Sequence, residues 1–418
     1  MNDNPAAVFL RRIPTLLFCF VLCVSAAVFS ARMLVPKAVP SQLLVRTPFR
    51  QLLAGGASEI GGTPPRPRAG FRDKIQWEVQ QNFPFRISLL EAANRLPQLV
   101  GWNVPLLGGA GATTKFDAGI GFIGNAKWSP KSKSMEENAR ILAFMRALTN
   151  RNPNTLFVVE PPRIPKGEPF SGSFDFSAER CDNRIRFLQE AGVRTLDLGP
   201  PLSDGNPFFR TDHHMTIEAG LLAARALAEK LSADFGLSID MKLLEDSAFD
   251  VHVLPGAFLG SYGKQVTLAR CCPDDFPVVA AKPPSRFRLE IPQKEIDMEG
   301  DGDVLLDKRL LVSECSYRVN QYAAYGYGDN GLIRVTNLSH PAGPRLLVFS
   351  DSFDNACISF LANAVSEIVD VDLRHFDGTL DNLFRKGPFD AAVCLFDIIP
   401  TAEQFSSILS SVSGNEEN

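Results

Sequence analysis

The stretch Arg345-Leu346-Leu347-Val348-Phe349-Ser350-Asp351-Ser352-Phe353-Asp354-Asn355 decides the fold. Its first part, RLLVF, is an apolar run of strand length, as expected for a strand buried on both faces. A short polar turn follows, and Asp354 to Glu367 carries a helical pattern. A buried strand running straight into a helix is the unit from which parallel sheets are assembled. A serine at such a turn, Ser352, projects from the carboxyl edge of the sheet, where α/β proteins form their sites. Its own N–H, near a helix N-terminus, is placed to stabilise an oxyanion. The simpler reading is that Ser352 or Asp354 caps the helix.

Outward from this unit the same alternation recurs. Ser134 to Leu148 predicts a helix, with Glu136 and Glu137 in its first turn, where acidic groups complement the helix dipole. Asn154 to Glu160 predicts a buried strand ending at Pro161-Pro162, and Ala178 to Ala191 a helix closed by Gly192. Val193 to Leu198 is the next strand and Thr216 to Leu231 a strong helix. Ile368 to Leu373 and Ala391 to Phe396 are further strands. The expectation is an α/β domain with a mostly parallel sheet and helices on both faces. Residues 240–340 break the alternation and are expected to form a loop-rich insertion able to line a site. The domain is placed at 71–400, where residues 71–98 carry helical periodicity, and 401–418 are expected to be a tail.

The amino end is different in kind. Ile13 to Ala31 contains 19 uncharged residues between Arg12 and Arg32, and at 1.5 Å each these just cross a hydrocarbon core of about 30 Å. Residues 1–36 are therefore expected to be an N-terminal transmembrane helix acting as a signal-anchor. A signal cleaved near Val24-Ser25-Ala26 is the alternative. Both readings export the remainder, and residues 37–70, rich in Pro, Gly and Arg, then form a linker.

The 418-residue chain has 45% hydrophobic and 22% charged residues, which excludes wholesale disorder and a polytopic membrane protein. A formal net charge of −4 gives no overall basic field, so nucleic acid is not an expected partner. Six of the eight cysteines fall beyond the apolar segment. Cys357 and Cys394 sit in apolar runs and are expected to be buried thiols, while Cys271 or Cys272 is available to pair with Cys315.

Three motifs bear on chemistry. Gly119 to Gly124, GIGFIG, matches GxGxxG, but NAKWSP follows where a dinucleotide site needs a helix, so a β-hairpin is expected and no cofactor. The octapeptide Phe209 to Thr216, FRTDHHMT, holds two of five histidines just before a predicted helix. Asp212 and His214, one residue apart, lie on the same side of an extended loop. A carboxylate beside an imidazole fixes its tautomer and suits a general base. The octapeptide alone is equally a helix-entry loop capped by Asp212 and Thr216, and it also permits metal binding through Asp212, His213 and His214. Together with the serine turn, it supplies the parts of a hydrolase triad in the order Asp, His, Ser.

The two stretches TDHHMT and LLVFSDSFDNACISFLANAVSEIVDVDLRHFDG resemble the DHHW family of exported bacterial proteins, which is similar to the alginate O-acetyltransferases. Asn82-Phe83-Pro84-Phe85-Arg86 matches the family's N-terminal segment, with weaker agreement at Phe258-Leu259-Gly260-Ser261 and Gly328-Asp329-Asn330. Met215 stands where the family has Trp, and Ser350 where SGNH proteins often have Gly. The resemblance implies an SGNH-hydrolase-like fold with rearranged motif order. It implies Ser352 as nucleophile, His214 as base and Asp212 as the orienting carboxylate, with Arg210 and His213 flanking them. Asn330 and Asn355 are the oxyanion candidates beside the Ser352 N–H, and no metal is implied. The implied activity is acetyl transfer through an acetyl-serine to a hydroxyl of an exported polysaccharide. A carbohydrate acetylesterase, or a non-catalytic polysaccharide-binding or assembly protein of the same fold, is the alternative. The implied partner is a membrane-bound O-acyltransferase as acetyl donor. The implied location is the bacterial inner membrane with the domain in the periplasm, or outside the cell after cleavage.

Overall fold

A computed structural model describes residues 131–410 except 167–175, 204–205, 386, 396 and 398, together with three short strands between 106 and 125. The expected membrane segment, the linker, the helical pattern of 71–98 and the Asn82–Arg86 match lie outside the described residues.

The three short strands are β1 (Leu106–Gly108), β2 (Lys115–Asp117) and β3 (Ile123–Asn125), joined as an antiparallel sheet. Of the GxGxxG run, Ile123 and Gly124 lie in β3, which pairs antiparallel with β2, and Gly119 to Phe122 lie outside the described residues. Next come α1 (Lys131–Thr149), β4 (Thr155–Val159), α2 (Ser177–Glu190), β5 (Thr195–Asp197) and α3 (Ile217–Phe235). The middle of the chain forms β6 (Phe249–Phe258), α4 (Ser261–Val266), β7 (Asp274–Ala281), β8 (Arg286–Ile291), β9 (Ile296–Asp301) and β10 (Leu332–Asn337). The carboxyl part forms β11 (Arg345–Ser350), α5 (Asn355–Leu361), β12 (Glu367–Val371), α6 (Leu380–Phe384), β13 (Ala391–Leu395) and α7 (Ala402–Leu409).

Eight strands make one sheet in the order β5-β4-β13-β11-β12-β10-β8-β9. The first five are mutually parallel, and β10, β8 and β9 continue the sheet antiparallel. Side chains alternate between two cores, as strand geometry requires. Leu346 and Val348 of β11, Leu156 and Val158 of β4 and Val393 of β13 face α3 and α5. Leu347 and Phe349, Phe157 and Val159, and Cys394 face α1, α2 and α7. Phe144 of α1 meets Phe349 edge-on at 5.1 Å. Burying each such Leu or Phe contributes about 1.5–3 kcal/mol relative to exposure. Helices therefore cover both faces, and the expectation of an α/β domain with a mostly parallel sheet holds.

Several boundaries differ from the sequence reading. Residues 240–340 are not merely loop-rich, because β8, β9 and β10 extend the main sheet. In β8, Phe287, Leu289 and Ile291 are buried while the intervening Arg288 and Glu290 are half-exposed, and so short an alternation is easily read as loop. Residues 402–409 are a helix, not a tail: Phe405 and Ile408 are buried against α1, and Thr401 with Gln404 forms a capping box. Helix α1 begins at Lys131, so its first turn is not acidic; Glu137 is instead buried and bonds Arg180 of α2 at 3.1 Å. All six cysteines from Cys181 onward are free thiols, so the expected Cys315 pairing is not formed; Cys357 and Cys394 are buried as expected.

The parallel strands bring their carboxyl ends to one edge. Glu160 after β4, Ser352 after β11, Asp372 after β12 and Asp397 after β13 emerge there. The chain leaves β11 for β12 on one side and returns across it to β13 on the other. Such a reversal of strand order opens a crevice at the carboxyl edge.

Candidate active site

The loop of residues 207–216 is folded back on itself before it enters α3. Phe208 pairs with Met215, the Phe209 N–H donates to the His214 carbonyl at 3.2 Å, and the Thr216 N–H donates to the Pro207 carbonyl at 2.8 Å. Thr216 is the helix cap, its Oγ1 accepting the Ala219 N–H at 3.2 Å. Asp212 does not cap the helix. Met215, where the resembled family has Trp, is buried in the core.

Buried Asp274 anchors this loop from the start of β7. Its carboxylate accepts from the Thr211 N–H at 2.9 Å, the Thr211 hydroxyl at 2.6 Å, and the Arg210 N–H and Nε at 3.1 and 2.9 Å. Arg163 donates to the Phe209 carbonyl at 2.8 Å and lies over the rings of Phe208 and Tyr262. Neither Asp274 nor Arg163 stood out in the sequence.

Asp212 and His214 are 2% and 5% exposed. Asp212 Oδ1 accepts from the His214 N–H at 3.1 Å and is hydrogen-bonded to His214 Nδ1, and Oδ2 accepts the Ser261 N–H. Burial alone would raise this carboxyl. The adjacent imidazoles of His213 and His214 and the bonds from His214 and Ser261 outweigh it, holding Asp212 well below the usual carboxylate range. His214 Nε2 then lies 3.1 Å from Ser352 Oγ. Two loops 138 residues apart thus form one Asp–His–Ser relay.

Two glycines permit this approach. A Cβ on Gly260 would lie 2.3 Å from Asp212 Cβ, and a Cβ on Gly220 of α3 would lie 2.8 Å from Ala356 Cβ of α5. Gly220 therefore lets the helix behind His214 lie directly on the helix that follows Ser352.

At the serine turn, Asp351 is the capping residue: its Oδ1 accepts the Phe353 N–H at 2.9 Å. Ser350, in the position where SGNH proteins often have Gly, donates its hydroxyl to Asp370 Oδ1 at 2.6 Å and stays buried. Tyr322 stacks on the His214 ring with centroids 4.0 Å apart. All three clustered tyrosines, Tyr322, Tyr325 and Tyr327, are packed in the core and do not form a sugar-stacking surface.

The flanking candidates are distributed unevenly. His213 is partly exposed, and its Nδ1 is 2.8 Å from Ser261 Oγ. Arg210 is held by Asp274 and the Pro273 carbonyl. The Asn330 amide donates to the Gly326 and Gly328 carbonyls, closing its own loop. Asn355 lies against Gly326. Both asparagines are thus engaged with the 326–330 loop.

Among the described residues, two groups have ligand atoms clustered within 4.8 Å: Asp212, His213 and His214, and Glu160, Asp351 and Asp354. In the first, Asp212 Oδ1 already holds the His214 N–H and Nδ1 and Oδ2 accepts the Ser261 N–H, and a metal on Oδ1 would displace the His214 bond. The chemistry available at this site is activation of the Ser352 hydroxyl by an oriented imidazole.

Residues 125–274 match the family model of the SGNH hydrolase-like domain of the acetyltransferase AlgX. That match contains Asp212 and His214 and ends before Ser352. In fold, the chain is similar to a DHHW family protein from Eubacterium siraeum, with TM-score 0.54 and 16% identity over 73% of this chain and 98% of that one. It is also similar to Bacillus cereus PatB1 with a sulfonyl adduct, with TM-score 0.55 and 14% identity over 72% of this chain and 99% of that one. No curated protein matches the sequence. The resemblance to DHHW and AlgX-type proteins read from the two motif loops therefore extends to the SGNH-like fold.

Proposed function

We propose that the protein is a serine-dependent O-acetyltransferase that acetylates a hydroxyl of an exported polysaccharide. The observation that carries this reading is the 3.1 Å contact between His214 Nε2 and Ser352 Oγ, with Nδ1 of the same ring on Asp212.

His214 Nε2 takes the Ser352 proton as Oγ attacks the carbonyl carbon of an acetyl donor. The oxyanion is stabilised by the Ser352 N–H; the next N–H, of Phe353, is already given to Asp351. As the tetrahedral intermediate collapses, the donor oxygen leaves with the proton from His214, and acetyl-Ser352 remains. The acceptor hydroxyl then loses its proton to His214, attacks the acetyl carbon, and releases Ser352 as His214 returns the proton to Oγ. Asp212 stays ionised throughout and stabilises the imidazolium.

The apolar segment 13–31 would tether this domain to the inner membrane beside a membrane-bound O-acyltransferase as acetyl donor, with the domain in the periplasm. The family model's acetyltransferase description and the sulfonyl adduct of PatB1 support the choice of chemistry and of probe.

The test incubates the protein with an aryl sulfonyl fluoride and, separately, with a chromogenic acetyl ester. Mass spectrometry should find one sulfonyl and one acetyl adduct, both on Ser352, and Ser352→Ala should carry neither and lose turnover by at least about a thousandfold. Adducts on another residue, or equal turnover by the variant, would remove the serine mechanism. Acetate release without transfer to any added sugar would make the protein an esterase.

A further inference from the structure

Beneath the serine turn lies a buried acidic group that the relay above does not use. Glu160, at the carboxyl end of β4, and Asp354, at the end of the Ser352 turn, are 7% and 0% exposed. Together with Asp351 their carboxylate oxygens fall within 4.8 Å of one another. Among the described residues, neither oxygen of Asp354 and not Oε1 of Glu160 receives a hydrogen bond from a donor.

Among the described residues, the charged groups that act most strongly on the pair are acidic. Asp351, Asp397 and Asp370 are the further charged groups acting on the pair, and Cys357 and Tyr322 are its neutral neighbours. Arg184 lies against Asp397 and Glu137, and Arg374 is bonded to Asp372 and faces Asp351 and Asp329. Two carboxylates this close and this buried cannot both remain ionised. Glu160 and Asp354 are within hydrogen-bonding reach of each other, so one proton bound to either oxygen satisfies both groups at once.

We propose that Glu160 and Asp354 share a single proton beneath the Ser352 turn, and that this pair positions the serine and its N–H for acyl transfer. The part concerning acyl transfer rests on the function proposed above; the shared proton does not. With the proton in place, a carboxyl O–H on one residue donates to the carboxylate of the other. In alkali, hydroxide removes that proton as water and leaves two facing carboxylates. Their repulsion loosens the turn that holds Ser352, and the added negative charge opposes the oxyanion forming above it. Burial, followed by the repulsion of neighbouring aspartates, raises both groups well above the ordinary carboxylate range. A carboxyl raised in the folded state lends its stabilisation fully in acid and loses it as pH rises through the folded value.

The experiment compares the wild type with Asp354→Asn and Glu160→Gln, each nearly isosteric and unable to ionise. Infrared difference spectra, wild type minus each variant, should show at neutral pH a buried carboxylic-acid carbonyl band that the variants lack, the buried Asp370 carboxyl being common to all three proteins and cancelling. Melting curves from about pH 6 to about pH 9, run with EDTA and with added Mg2+, Ca2+ or Mn2+, should show a wild-type midpoint that falls with pH. The midpoint of Asp354→Asn should fall less, and none of these should respond to metal. Sulfonyl labelling of Ser352 in the wild type should slow about tenfold over the same alkaline range, while the variants keep a flat profile. Absence of the acid band, or a metal-induced rise in midpoint that Asp354→Asn abolishes, would overturn the shared proton. The second outcome would identify a divalent-cation site instead. If Ser352 is not labelled in any protein, the acyl-transfer reading fails, while the infrared and melting results still decide the proton. Should Asp354→Asn fail to fold, Glu160→Gln supplies the same comparison from β4.

Discussion

The Tyr322 ring lies face to face with the imidazole of His214, the planes 14° apart and the centroids 4.0 Å apart. Its hydroxyl donates to the Phe353 carbonyl at 2.7 Å, one residue after the serine. One buried side chain thus touches both halves of the site: the ring sets the plane of the imidazole, and the hydroxyl fixes the serine turn. Tyr322→Phe keeps the stack and strands a buried carbonyl, so it should cost about 1–2 kcal/mol in melting and little activity. Tyr322→Leu removes the wall behind His214. Its loss of turnover on an acetyl ester should exceed that of Tyr322→Phe well beyond the difference in their stabilities. Equal turnover in the two variants would show that the ring does not position the base.

Asp212 should act on both rate and acid stability. Asp212→Asn preserves shape but no longer favours the tautomer with Nε2 free to accept, and turnover should fall by about four orders of magnitude, as when other triads lose their carboxylate. The carboxyl is held below its ordinary value of 3.8. The stability it contributes is therefore complete above that value and is lost as pH falls through the depressed folded value. Wild type and Asp212→Asn should accordingly converge in stability only in strong acid. Parallel melting curves down to low pH would contradict the ionised role.

Close approach of helices α3 and α5 sets the distance between base and nucleophile. Gly220→Val places atoms where Ala356 already sits and should destabilise by about 1–3 kcal/mol while separating His214 from Ser352. A displacement of about 1 Å is enough to cost roughly a hundredfold in rate. Gly260→Ala meets Asp212 Cβ at 2.3 Å and should impair the relay through the carboxylate instead. Turnover measured on correctly folded variant protein checks both. Unchanged rates would mean that the loops adjust independently of these contacts.

The parts of this architecture that carry strong local signals were legible in the sequence. RLLVF, AAVCL and NTLFVV are buried on both faces, so their continuous apolarity announces parallel strands. The two motif loops announce themselves through rare residue types, two adjacent histidines and a serine at a strand end. What the sequence hid depends on partners far away in the chain. Asp274 follows Cys271-Cys272-Pro273 and looks like a surface aspartate until Thr211 and Arg210 fold onto it. Glu160 looks like the polar end of a strand, and only the packing of Asp354 against it makes it unusual. Arg286 to Ile291 reads as loop because alternate positions are charged, and one-sided burial in an antiparallel extension is what makes that pattern a strand. Tyr322 was as readily a sugar platform as a core residue, since nothing local says that His214 occupies its face.

Asp370 on β12 provides a separate pH signal one strand from the nucleophile. Burial pushes its carboxyl up to about 7, against the Ser350 hydroxyl bond, which favours the ionised form, and the charges of Asp372 and Asp351 raise it further. The sign follows from linkage: a carboxyl raised in the folded state contributes stability that is complete below its ordinary value of 3.8. That contribution declines as pH rises and is lost by the time pH passes through about 7. Asp370→Asn still accepts the Ser350 hydroxyl through its amide oxygen but cannot ionise. It should melt higher than the wild type above neutrality and fall relative to it in acid, where the native carboxyl is uncharged. Because Asp370 touches Ser350 and not the Ser352–His214 pair, sulfonyl labelling of Ser352 at neutral pH should change by no more than a few-fold. A variant that melts lower than the wild type at alkaline pH would show that the ionised carboxylate, not its neutral form, holds the strand end.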